Sequence, residues 1–381
     1  MKKSNFVHFL GALLFTAFFS FTMKALPMVD FSEIDKVDIV ISANASDPVL
    51  KAANQLKDFL KNVYPAYQFT VTSTVKGGNR KIVLGYPEDF ELKAAVLKEV
   101  PLHKEGFLIH CLNEKEVMIV SHSPKGLFNA VYSLLEKLGY GFYLSYDAKP
   151  NPKKELAFKD WEMSDFPLQN ERIVFDWHNF LSGCTGWSYD DWCSWIDQSA
   201  KMKYNTIMVH AYGNNPMFSF EYNGLKKEVG YLTTSISGRD WGAQHITDIR
   251  RLPGGEIFPG PVFGSEAARV PDEQRGDAAT SLMKRVFEHA GAMAMKINFA
   301  VDVDTWSANP KNIIESLPAD SRIKLESQDV VNPETADGYQ YYKTQVKSLL
   351  TSYPGISTIT VWVRAGGTLW RDIKPEQFPK S

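Results

Sequence analysis

The sequence predicts an α/β protein in which a small α+β N-terminal domain precedes a TIM-type β/α barrel, incomplete at about four βα units. Three features predict it. Strand-like alternation and helix-like apolar spacing succeed one another through residues 37–144. A proline-bearing stretch at 149–168 interrupts the pattern. Beyond it, strand, helix, strand and helix recur at the spacing of parallel βα units, with polar residues massed after each strand.

The domain spanning 26–148 reads clearly. Val37-Asp38-Ile39-Val40-Ile41 alternates like a strand, and Asp47-Pro48 opens a helix. Its apolar positions, Val49, Ala52, Ala53, Leu56, Phe59, Leu60 and Val63, fall mostly three or four apart. Strands are expected at Phe69–Thr72 and Lys81–Gly85, and a helix over Glu91–Glu99. Phe107–His110 and Val117–Val120 flank Asn113-Glu114-Lys115 as a hairpin. Ser123 caps the next helix, Pro124 takes its first turn, and Gly139 ends it. Its stripe is Leu127, Phe128, Val131, Leu134, Leu135 and Leu138, and Tyr140–Leu144 is expected as a closing strand. His110 and His122 lie near strand ends and read as structural histidines.

Ahead of this domain, Lys2 and Lys3 precede an apolar run from Phe6 to Phe21. Residues 1–25 therefore read as a secretory signal peptide, the run being shorter than the roughly 20 residues a membrane span needs. No cysteine follows for lipid attachment, so a periplasmic or extracellular location is expected, with no membrane contact after cleavage. In that setting Cys184 and Cys193 could pair, and three unpaired thiols stay the equal alternative.

Composition narrows the function. With 42 basic against 44 acidic residues there is no positive field to hold nucleic acid. Aromatic residues make up 13%, including 9 Trp and 16 Tyr, a supply that suits sugar faces and large cores alike.

Residues 169–381 read as the partial barrel. Arg172-Ile173-Val174-Phe175 is the first strand, and Ser188 caps a helix carrying Trp192, Trp195, Ile196 and Met202. Thr206–Val209, Ile297–Val301 and Ser357–Val363 follow as strands. Helices are expected at Ala278–Met295 and from Asn332-Pro333 onward. Four polar clusters then share the strand C-terminal edge, where β/α barrels carry their sites. They are Asp176-Trp177-His178-Asn179, His210-Ala211-Tyr212-Gly213-Asn214, Asp302-Val303-Asp304 and Arg364-Ala365-Gly366-Gly367.

The stretch from Glu105 to Asp147, with Leu134-Leu135-Glu136-Lys137-Leu138-Gly139-Tyr140-Gly141-Phe142-Tyr143, resembles the small domain that precedes the catalytic barrel in α-glucuronidases and β-hexosaminidases. Arg172–Asn179, Trp192 and Lys203-Tyr204-Asn205-Thr206-Ile207 resemble the first βα unit of α-glucuronidase-type barrels. The resemblance implies a secreted glycoside hydrolase acting on plant or host glycans, with the strand-end His, Trp and Asn lining the sugar site. It also implies an acid/base residue after the fourth strand. Here Trp362-Val363-Arg364-Ala365-Gly366-Gly367-Thr368 holds no carboxylate, and Asp372 comes later.

Glycoside hydrolysis needs two carboxyl groups about 5 to 10 Å apart. Asp302 and Asp304 are the candidates, because alternation along an extended chain sets both on one side. Their other reading is orientation of neighbouring Arg or Trp, or capping of a turn. Asp176, Trp177, His178, Asn179, His210, Tyr212 and Asn214 are expected to contact substrate. Arg364 is expected to fork onto a sugar carboxylate, or else to pair with Asp302 or Asp304.

A closed barrel needs eight strands, and four would leave open edges. The sequence therefore predicts a piece of a longer chain, or completion by another chain. The histidines lack metal-ligand spacing and Gly254-Gly255 lacks the ending of a phosphate loop, so no metal and no cofactor are expected. The expected partner is an oligo- or polysaccharide, and a homo-oligomer stays open. A non-catalytic extracellular carbohydrate-binding protein is the alternative, since binding needs aromatics and amides without paired acids.

Overall fold

The computed structural model describes residues 35–74, 77–89, 96, 98–176, 184, 187–211, 215–227, 265–268, 270–302, 310–324 and 329–362, and for 268, 272 and 302 the backbone alone. The expected signal peptide and the body of the helix expected over Glu91–Glu99 lie outside these residues.

The first sheet takes shape around β1 (Lys36–Val40), whose Val37 and Ile39 are fully buried. α1 (Asp47–Val63) lays Val49, Ala52, Ala53, Leu56, Leu60 and Val63 against it, the stripe set by the sequence spacing. β2 (Gln68–Thr72) and β3 (Arg80–Gly85) flank β1 in parallel. β4 (Phe107–Asn113) and β5 (Glu116–Ser121) form the expected hairpin, with β5 parallel to β3. α2 (Pro124–Lys137) starts where the Ser123 hydroxyl accepts the Gly126 amide at 3.1 Å. It ends at Gly139, whose φ of +109° is the left-handed turn that favours glycine. A small second cluster of Val100, Leu108, Met118 and Val120 covers the other face of the sheet.

Two expectations here are corrected. Tyr140–Leu144 does not close the sheet. Only β6 (Gly141–Phe142) is extended, and it pairs with β7 (Asp147–Ala148) in a separate ribbon. The Tyr140 amide is held by the Leu135 carbonyl at 3.0 Å, which folds the chain back on the end of α2. The edge goes instead to β8 (Met163–Asp165), antiparallel to β4, so the order is β2-β1-β3-β5-β4-β8. The stretch 149–168 read as linker thus supplies a strand, and before it Leu156, Phe158 and Trp161 are buried in the core. Three apolar anchors outweigh the prolines that suggested an open connection.

The second sheet is parallel throughout, in the order β16 (Ile356–Trp362), β13 (Lys296–Asp302), β10 (Thr206–Ala211), β9 (Ile173–Phe175). β9 (Ile173–Phe175) is followed by α3 (Tyr189–Lys201), which opens on a capping box between Ser188 and Asp191. β10 (Thr206–Ala211) leads through a β11 (Glu221–Tyr222) and β12 (Leu225–Lys226) ribbon toward α4 (Asp272–Ala292) and β13 (Lys296–Asp302). α5 (Lys311–Ser316) and a hairpin of β14 (Arg322–Lys324) and β15 (Asp329–Val331), neither read from the sequence, precede α6 (Ala336–Ser352) and β16 (Ile356–Trp362). α6 does not begin at Asn332-Pro333. Asn332 Oδ1 accepts the Glu334 amide at 3.1 Å in a turn, and Thr335 caps the helix through the Gly338 amide at 3.0 Å. Cys184 and Cys193 are both free thiols, so the possible pairing is not made. Among the described residues no helix is long and apolar enough to cross a membrane.

Candidate functional site

Strand register sorts the second sheet into two faces. Ile207, Val209 and Phe299 are buried on the helix side, where the Phe299 ring meets Phe287 of α4 at 6.3 Å and Tyr353 at 5.7 Å. Alternation then places Phe175, Met208, His210, Asn298, Thr358, Thr360 and Trp362 on the opposite face.

That face is concave. β9 and β16 are the outer strands of four, and three flat steps of about 4.8 Å would hold them about 14 Å apart. Yet the Phe175 and Trp362 rings lie 5.5 Å apart, edge to face. The sheet is curled as a barrel wall is, and its inner side chains converge near the strand C-terminal edge.

His210 sits within this cluster, inside β10 rather than beyond it, and it is fully buried. Its ring stacks on Trp362 at 4.5 Å. One layer toward the strand starts, Thr360 Oγ1 donates to Asn298 Oδ1 at 2.8 Å, which fixes two polar side chains on the same wall. Asp176 leaves β9 at the edge, and the Cys184 thiol donates to its carbonyl oxygen at 3.7 Å. Burial first, and then the Asp176 charge, hold that thiol well above its ordinary range. Cys184 is therefore a protonated donor that fastens the β9 exit, not a nucleophile. Away from this edge, His110 pairs with Glu162 at 3.2 Å, a bond that ties β4 to the segment entering β8.

Of the residues singled out from the sequence, His210 is joined to an aromatic cluster and Asp176 stands at the same edge. Asp302 ends β13 in register with Trp362. Trp177, His178, Asn179, Tyr212, Asn214, Asp304 and Arg364 lie outside the described residues. Phe175, Asn298, Thr360 and Trp362 were not read as site residues. The available signal was parity: each shares the two-residue alternation that carries His210 to the concave face.

A six-stranded α/β layer leading into a curled parallel β/α sheet, with a polar and aromatic cluster at its C-terminal edge, defines a protein of the β/α-barrel class. Residues 32–134 match the family described as "Glycosyl hydrolase family 67 N-terminus", so the first domain is similar to the N-terminal domain of those hydrolases. No curated protein matches the chain in sequence. Among solved structures, a "GH138 enzyme targeting pectin rhamnogalacturonan II" shares the fold at a TM-score of 0.51 and 13% identity, over 86% of this chain and 38% of that one. The chain thus spans well under half of that enzyme's length. A mutant β-hexosaminidase of Streptomyces plicatus gives a TM-score of 0.45 and 15% identity, covering 84% of this chain and 53% of its own. A β-N-acetylhexosaminidase of Bacteroides fragilis gives 0.44 and 12%, covering 84% and 51%.

Proposed function

We propose that the protein is a glycoside hydrolase exported to the periplasm or cell exterior, where it cleaves O-glycosyl bonds of plant or host glycans. The observation that carries this reading is the His210–Trp362–Phe175 cluster on a concave sheet edge, behind a domain similar to the family 67 N-terminus. The indole face of Trp362, with the His210 ring stacked against it, suits the C–H face of a sugar ring, while Asn298, Thr360 and Asp176 offer hydrogen bonds of the kind hydroxyls need. Trp177, His178, Asn179, Tyr212 and Asn214 extend the substrate contacts, and Arg364 is assigned to a sugar carboxylate. Asp302 and Asp304 are assigned to general acid and base work, the two carboxyl roles that glycoside hydrolysis needs.

Activity is tested by reducing-sugar release from pectin, the polymer in the GH138 description, and from chromogenic glycosides of uronic acids and hexosamines. Turnover is expected with at least one of them. Asp302→Asn or Asp304→Asn is expected to lower kcat about 100- to 10,000-fold, the range of a lost acid or base. Full activity in both variants removes that pair from the chemistry. Binding without turnover by the unsubstituted protein makes it a carbohydrate-binding protein instead.

Calorimetric titration with the bound sugar tests the cluster separately. His178→Ala and His210→Ala are each expected to abolish the binding isotherm. An unchanged curve excludes the substituted histidine from the site.

A further inference from the structure

The junction between the α/β layer and the parallel sheet buries charge. Glu105, from the loop before β4, pairs with Arg172 at the start of β9 and accepts from Asn205 Nδ2 at 2.8 Å. Asn205 also accepts the Arg172 amide at 3.0 Å and donates to the Asn170 carbonyl at 2.7 Å. One acidic side chain of the first domain therefore holds the starts of two strands of the second sheet.

Lys125, 5% exposed, holds the second position of α2, and the first turns of that helix lie on the Glu105 loop: Asn129 Nδ2 donates to the Glu105 carbonyl at 3.4 Å, and a Cβ at Gly126 would come within 3.0 Å of the Gly106 carbonyl oxygen. Lys125 Nζ has no hydrogen-bond partner among the described residues. The position opposes a cation, because the helix N-terminus carries positive dipole charge. Burial draws the amine down to about 7 from 10.5, against the pull of Glu105 and with the push of Arg172 and Lys203. Among the described residues those three are the charged groups that bear on it. Ser121, at the end of β5 and beside Gly126 of the same helix, is neutral, and its hydroxyl donates to the Gly106 carbonyl at 2.5 Å.

We propose that Lys125 makes this junction a proton-sensitive joint, in which proton uptake by the buried amine loosens the docking of the α/β domain on the parallel sheet. The sign follows from linkage. Between the folded value of about 7 and the unfolded value of 10.5, the unfolded chain holds a proton that the folded chain lacks. Stability therefore rises with pH across that window, and the joint is weakest below it.

The test compares thermal midpoints from pH 6 to pH 9 in the unsubstituted protein and in Lys125→Met, which keeps the chain length without the charge. A midpoint that climbs with pH in the former, and climbs clearly less in the latter, is expected. Hydrogen exchange corrected for intrinsic rates should show the Arg172 and Thr206 amides less protected at pH 6 than at pH 8. Equal slopes in the two proteins, or equal protection at the two pH values, overturns the proposal. Should the variant not fold, the Lys125 13Cε resonance of the unsubstituted protein decides. A midpoint near 7 supports the joint, and one near 10.5 sinks it.

Discussion

Glu105→Leu is expected to destabilise the protein by about 3 to 5 kcal/mol, the cost of breaking a buried ion pair from one side. The carboxylate is the meeting point of Arg172 and Asn205, and Leu would leave the guanidinium without its counter-charge at 19% side-chain exposure. Arg172 keeps its bonds to the Lys203 carbonyl at 2.8 Å and the Gln169 carbonyl at 2.7 Å, which directs the expectation to the lower end of that range. Glu105→Gln keeps an acceptor for Asn205 without the charge and should cost less. The effect also has a pH signature. Burial alone would raise the Glu105 carboxyl, but the Arg172 and Asn205 hydrogen bonds outweigh it and hold the group below its usual 4.5. Its contribution is thus complete at neutral pH and disappears as acid brings the solution through the lowered folded value. Urea denaturation of the two variants at pH 7 and in mild acid measures both claims. A loss under about 1 kcal/mol at pH 7, the scale of an exposed pair, would show that the joint does not depend on Glu105.

What the sequence reveals depends on whether the deciding interaction is local. α2 is legible because its signals lie within its own residues: Ser123 accepts Gly126, Pro124 needs no donor, and Gly139 takes the positive φ. The β4–β5 hairpin is legible for the same reason. β8 is not. Met163-Ser164-Asp165 has no apolar alternation, and its place on the edge is set by its ladder to β4, with Glu162 reaching the Cys111 amide at 2.8 Å. The candidate site divides along the same line. His210 was identified by its position near a strand end. Trp362 and Asn298 required the register of β10, β13 and β16, which decides which alternate residues share the concave face. Lys125 is not legible either, since a lysine beside an apolar stripe reads as a solvated flank, whereas the folded chain leaves it 5% exposed.

Trp161→Ala should be the most damaging change outside the joint, at about 3 to 5 kcal/mol for truncating a buried indole. A tryptophan in a true linker would cost within about 0.5 kcal/mol, so the substitution separates the two readings of residues 149–168. Trp161 is 1% exposed and its ring meets Phe158 edge to face at 5.1 Å. The backbone around it is fastened to the first domain: the Lys153 amide donates to the Val63 carbonyl at 2.6 Å, and Arg80 Nη1 donates to the Leu156 carbonyl at 2.6 Å. The Leu156 amide in turn donates to the Tyr67 hydroxyl at 3.2 Å. Because β8 begins two residues after Trp161, loss of the indole should release the sheet edge along with the core. Faster exchange of the β4 amides that face β8, beyond the general loss of stability, is the expected mark. Trp161→Phe should recover part of the loss, since a smaller ring still fills some of the space. An alanine variant as stable as the unsubstituted protein would return the segment to the role of a connection.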